Sequence, residues 1–116
     1  MTNATPTTPP VLSIALDKIC FIIAKAHEID VKDVIDDPSY EEAKAFLDAM
    51  SEDEQVDLVA LAWLGRDDNS VADWDELRAE ALRAHNDRTA EYLLGMPLLA
   101  DQLEEALAQL GLSCED

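Results

Sequence analysis

Apolar residues recur along most of this chain at the three-to-four-residue spacing of helices, and no stretch alternates in the manner of a strand. The spacing predicts a first helix over about residues 14–29, with Ser13 as its N-cap. Its buried stripe is Leu16, Ile19, Cys20, Ile22, Ile23 and Ala26. Ile14 and Phe21 fall off that stripe, which predicts cover on a second side or an interface between copies. Lys18 and Lys25 share an outward strip. After a polar connection over residues 30–37, Pro38 marks a helix start, and Ser39 with Glu42 reads as a capping box. Tyr40, Ala43, Phe46, Leu47 and Met50 then form one stripe. Ser51 with Glu54 makes a second capping box, followed at once by a third helix. There Val56, Leu58, Val59, Ala60, Leu61, Ala62, Trp63 and Leu64 cover nearly the whole circumference, the pattern of a central helix. Gly65 stops it. One long helix is predicted over residues 73–94, ended by Gly95. A last helix opens at Pro97 and turns Leu99, Leu103, Ala106, Leu107 and Leu110 inward, with Gly111 as its stop.

These elements make an all-α protein, a compact bundle of about five helices around the third. The chain has 116 residues, of which 48% are apolar, enough for one domain with a core. Residues 1–12 are rich in Thr and Pro and read as a disordered arm, and residues 13–116 as the single helical domain. The N-terminus lacks the basic and apolar regions of an export signal, and the apolar runs at residues 19–24 and 59–64 are too short to span a bilayer. The expected compartment is the cytoplasm. Cys20 and Cys114 are therefore expected to be reduced. A bridge between them, with the tail folded back on the first helix, is the less favoured alternative.

Charge changes the picture of partners. Twenty-six acidic residues face 8 basic ones, a formal net charge of -18. Such a surface repels nucleic acid and anionic membranes and favours a basic protein partner, or serves solubility alone. Residues 36–57 hold nine acids, Asp36, Asp37, Glu41, Glu42, Asp48, Glu52, Asp53, Glu54 and Asp57, against Lys44 alone. That run reads first as a solvated face and second as an imitation of nucleic acid.

The candidate chemistry lies on the long predicted helix. Arg78, His85 and Arg88 fall among Trp74, Leu77, Ala81, Ala84 and Tyr92, on the apolar side, where a basic group is costly unless paired. Arg78, His85, Arg88 and Tyr92 could face one volume and hold a phosphate or carboxylate. The favoured alternative is a polar lock. Asp57 projects from the third helix between Leu61 and Leu64, a partner for Arg78 or Arg88, with Asp17 a second candidate. No catalytic residue is assigned, because nothing pairs with His85 in a recognisable constellation and no Gly-rich phosphate loop occurs. No metal site or cofactor is expected: His27 and His85 are the only histidines and lack ligand spacing. The Asp67-Asp68-Asn69 loop fails as a calcium loop, since Ala72 and Arg78 stand at its glycine and closing glutamate positions. A helix-turn-helix reading fails on Glu76, Glu80, Asp87 and Glu91.

Three stretches carry a family resemblance: LDKICFII at residues 16–23, DEQVDLVALAWLGR at 53–66 and HNDRTAEYLLG at 85–95, with GLSCED at 111–116 similar too. They resemble an uncharacterised bacterial family, domain of unknown function 3775. The resemblance supports the helix boundaries and implies a connection of variable length between the first two helices. It implies no activity, substrate or catalytic residue. The function expected from the whole sequence is that of a small accessory or regulatory protein acting through protein contacts, with self-association left open. An anion-binding protein or enzyme built on the basic cluster is the alternative.

Overall fold

The computed structural model describes residues 12–29, 38–66 and 69–114. The readings of the N-terminal arm over residues 1–11, of the 30–37 connection and of Asp67 and Asp68 lie outside these. Six α-helices account for most of the described chain: α1 (Leu16–Glu28), α2 (Pro38–Asp48), α3 (Glu52–Leu64), α4 (Trp74–Ala84), α5 (Thr89–Leu94) and α6 (Leu99–Gln109). A 3-10 turn over Val71–Asp73 leads into α4. Among the described residues there is no strand, and no helix is long and apolar enough to cross a membrane.

The third helix is central, as its all-round apolar surface requires. Val56 through Ala62 and Leu64 are buried, with Trp63 partly so. It packs against α4 on one side and α6 on another, while α1 packs on α6 and α2, and α5 on α2. The Ser51–Glu54 capping box is present in both directions: the Glu54 N–H donates to Ser51 Oγ at 3.2 Å, and the Ser51 N–H to Glu54 Oε1 at 2.9 Å. The inward stripe of α6 is buried at all five expected positions.

Neither Ser13 nor Ser39 stands at the expected N-cap position. Ala15, without a side-chain bond, stands at the N-cap of α1, so Ser13 is not the cap. Ser39 lies inside the first turn of α2, and its hydroxyl donates to Glu28 Oε1 on α1. The off-stripe residues of the first helix have internal neighbours, and Phe21 is partly buried. Ile14 is buried, and Phe21 lies against Phe46 of α2 with ring centroids 4.4 Å apart. The outward lysines are paired, Lys18 with Glu54 and Lys25 with Glu42.

The long predicted helix is broken, and this accounts for six helices where five were expected. His85 leaves α4 with extended backbone, φ -61° and ψ 136°. Asn86 Oδ1 then accepts from the Arg88 N–H at 2.7 Å, and the Thr89 hydroxyl donates to the Asn86 carbonyl at 3.1 Å. These short-range bonds compete with helical ones and turn the chain. Redirected, α5 buries Ala90, Leu93 and Leu94.

The cysteines also depart from expectation. Cys20 and Cys114 form a disulfide with Cα atoms 5.6 Å apart, tying the tail after α6 to α1. Closing 94 residues in the unfolded chain contributes about 4–5 kcal/mol on a chain-entropy account.

Gly65 sets how closely α3 and α6 approach. A Cβ there would lie 1.8 Å from the backbone oxygen of Gln102, a contact no rotamer can relieve. Gly65→Ala should lower stability by about 3 kcal/mol, read as a fall in urea midpoint; an unchanged midpoint would contradict this packing. The Glu54 carboxyl is held below its ordinary value, first by the Lys18 hydrogen bond and then by the Ser51 N–H. A lowered value means stability that is present above the unfolded value, about 4.3, and lost as pH falls through the folded one. Glu54→Gln should therefore destabilise the protein near neutrality and flatten the acid limb of a stability–pH curve. An unaltered acid limb would refute that role.

Candidate functional site: a carboxylate lock beside an open cleft

The expected cluster resolves into two places. The first is a lock around Asp57, which sits in the middle of α3 and is fully buried. The Arg78 Nε–H of α4 donates to Asp57 Oδ1 at 2.5 Å, and the backbone N–H of Ser13 donates to Oδ2 at 2.5 Å. Arg78 reaches outward to Asp53 as well, at 3.4 Å. The Asp57 hydrogen bond holds the Arg78 guanidinium above its ordinary value, outweighing the opposing effect of burial. So the polar lock exists with Arg78 as its arginine, not Arg88, and the carboxylate also anchors the segment leading into α1.

His85 has a different role. Its Nε2 lies 2.7 Å from Gln55 Oε1, and its Nδ1 3.7 Å from Glu52 Oε2. The imidazole thus fastens the end of α4 to the first turns of α3. Its partners are a side-chain amide and a carboxylate. His27 is elsewhere, beside Glu104.

The second place is a cleft of about 430 Å³ beneath the 85–88 turn, bounded by α3, α4 and α5. Val59, Trp63, Ala81 and Ala84 supply apolar surface, and His85, Asn86, Arg88, Thr89, Glu91 and Tyr92 complete the lining. The Trp63 indole N–H donates to the Tyr92 hydroxyl at 2.8 Å, joining α3 to α5 along one wall. Arg88 is exposed, and among the described residues its side chain has no ion pair or hydrogen bond. Of the four residues expected to share one volume, His85, Arg88 and Tyr92 do and Arg78 does not. Sequence periodicity missed Val59, Trp63, Thr89 and Glu91 because an unbroken helix has no place for this cleft. The Asn86-Asp87-Arg88-Thr89 run was the available turn signal.

Of the acidic run, Glu41, Glu42, Asp48, Glu52 and Asp53 are exposed, as a solvated face requires, and Asp57 is the exception. Asp57 is buried, Glu54 caps α3 and pairs with Lys18, Glu42 pairs with Lys25, and Asp48 with Lys44.

A family model described as "Protein of unknown function (DUF3775)" matches residues 40–112. The chain belongs to this family. The match runs from α2 to just beyond α6 and takes in Asp57, Arg78 and the whole cleft lining. No curated protein and no solved structure matches the chain. In this DUF3775 chain the Ser13 arm of the lock and both ends of the disulfide fall outside the matched span, as does the stretch at residues 16–23.

Removing one partner of a buried ion pair typically costs about 3–5 kcal/mol, because the other is left uncompensated. Asp57→Asn and Arg78→Met should each destabilise on that scale, with the double variant clearly less damaged than the sum. Arg88→Met should change stability by less than about 0.5 kcal/mol. Additive losses at 57 and 78 in a denaturation cycle would sink the lock.

Proposed function

We propose that this protein is a small cytoplasmic accessory or regulatory module that acts by binding a basic segment of a partner protein, seating one bulky apolar side chain in the cleft. The observation carrying this reading is the cleft itself, an apolar floor left open between α3, α4 and α5. Its volume is within the range of ligand pockets. A chain of net charge -18 attracts a basic partner and speeds its encounter. At the cleft, the Glu91 carboxylate adds negative charge, with one oxygen 3.9 Å from Lys44 Nζ and the other buried without a hydrogen-bond partner among the described residues. Tyr92 and Trp63 provide the aromatic surface that interfaces favour.

A second reading follows from Arg88, whose guanidinium has no partner among the described residues and could hold a phosphate or carboxylate with His85. The net charge of the chain and the nearby Glu52 and Glu91 oppose it. Imitation of nucleic acid is weaker, since several of its acids are spent on internal pairs.

The test is a titration of the ¹⁵N-labelled protein with a Lys-rich peptide carrying one central Leu. Amide shifts should concentrate at Val59, Trp63 and residues 84–92. Replacing the Leu by Ala, or introducing Tyr92→Ala, should weaken binding about tenfold, roughly 1.4 kcal/mol. Binding indifferent to both changes would overturn the seat in the cleft. A rise in melting temperature with phosphate or citrate, lost in Arg88→Met, would favour the second reading instead.

A further inference from the structure

We propose a divalent transition-metal site formed by His27 of α1 with Asp101 and Glu104 of α6, on a different part of the molecule from the cleft lined by Arg88. One ligand atom from each of the three residues lies within 4.8 Å of the other two, and all three side chains are exposed. His27 Nε2 and Glu104 Oε2 are 3.5 Å apart. Ligands at about 2.0–2.1 Å in a tetrahedral shell stand about 3.3–3.4 Å from one another, so this pair is already close to its bound separation. Asp101 closes the remaining gap by side-chain rotation, which its exposure allows.

The placement follows from the fold. Asp101 and Glu104 are three residues apart and share one face of α6. His27 is in the last turn of α1, the helix packed on α6. Ile19 and Ile22 of α1 and Leu103 and Leu107 of α6 are all buried, and the disulfide from Cys20 ties α1 to the tail after α6. The ligands therefore stand on fixed backbone, and only short side-chain adjustments are needed to bind.

The donor set selects the ion. One imidazole and two carboxylates suit zinc, cobalt or manganese, whereas calcium and magnesium favour all-oxygen shells. Two carboxylates neutralise the dication, and the field of a strongly acidic chain raises its local concentration. Three protein ligands leave room for water or a small donor. His27 and Asp101 also line a cleft of about 230 Å³ under the 96–98 turn, so the free positions have space beside them.

The test uses the whole chain with zinc chloride as probe in isothermal titration, and cobalt chloride for visible absorption. One equivalent of zinc should bind in the micromolar range, with the His27 imidazole nitrogens shifting in long-range ¹H–¹⁵N spectra. H27N should abolish this event, and D101N and E104Q should each weaken it about tenfold. Glu105→Gln, on the neighbouring exposed carboxylate, should leave it unchanged. The variants are on the surface, and unchanged helical circular dichroism certifies their fold. Zinc binding that survives H27N, that needs millimolar metal, or that falls equally in Glu105→Gln overturns the site.

Discussion

Asp57 is a carboxylate that its own helix cannot satisfy. It lies at the centre of α3 among Val56, Leu58, Ala60 and Leu61, where an unpaired charge would not be tolerated. Two groups from distant parts of the chain meet it, the guanidinium of Arg78 and the backbone N–H of Ser13. One oxygen thus fixes α4 against α3, and the other fixes the strand of chain that enters α1. Apolar packing alone would allow these helices to slide. A buried, directional pair gives that packing a register, at the cost of a site that cannot lose one partner without exposing the other.

The second constraint is the turn at residues 85–88. An α4 continued to residue 94 would carry its apolar residues past the end of α3. The Asn86 and Thr89 bonds end it, and α5 returns to cover α2. The cleft is the space left on the inner side of that turn, with His85 fastening one rim to Gln55 and Tyr92 fastening the other to Trp63. Lock and cleft are thus neighbours with different properties. The lock closes on a buried carboxylate, whereas at the cleft the Arg88 side chain and one Glu91 oxygen have no partner among the described residues.

Much of this was legible in the chain. The all-round apolar character of residues 56–64 placed α3 at the centre, and the Ser51–Glu54 box marked its start. The acidic residue interrupting that surface identified Asp57 as needing a basic partner from the next helix. What periodicity could not distinguish was Arg78 from Arg88, because a helical wheel assumes an unbroken helix. The break rests on side-chain bonds spanning two or three residues, which carry no periodic signal. The disulfide is hidden from the sequence for a different reason. Compartment argued against it, whereas pairing depends on where the tail after α6 comes to rest, and that is set by the α1–α6 packing. The grouping of His27 with Asp101 and Glu104 has the same origin: ligands some 75 residues apart in sequence become neighbours only through that packing.

The most direct measurement of the central claim is the Arg78 Nε–H resonance in ¹⁵N-labelled protein. If the guanidinium donates to a buried Asp57, this proton should appear downfield, exchange slowly with water and return to an ordinary shift in Asp57→Asn. An Arg78 Nε–H that exchanges as fast as those of Arg83 and Arg88 would contradict the lock on which the account of this fold depends.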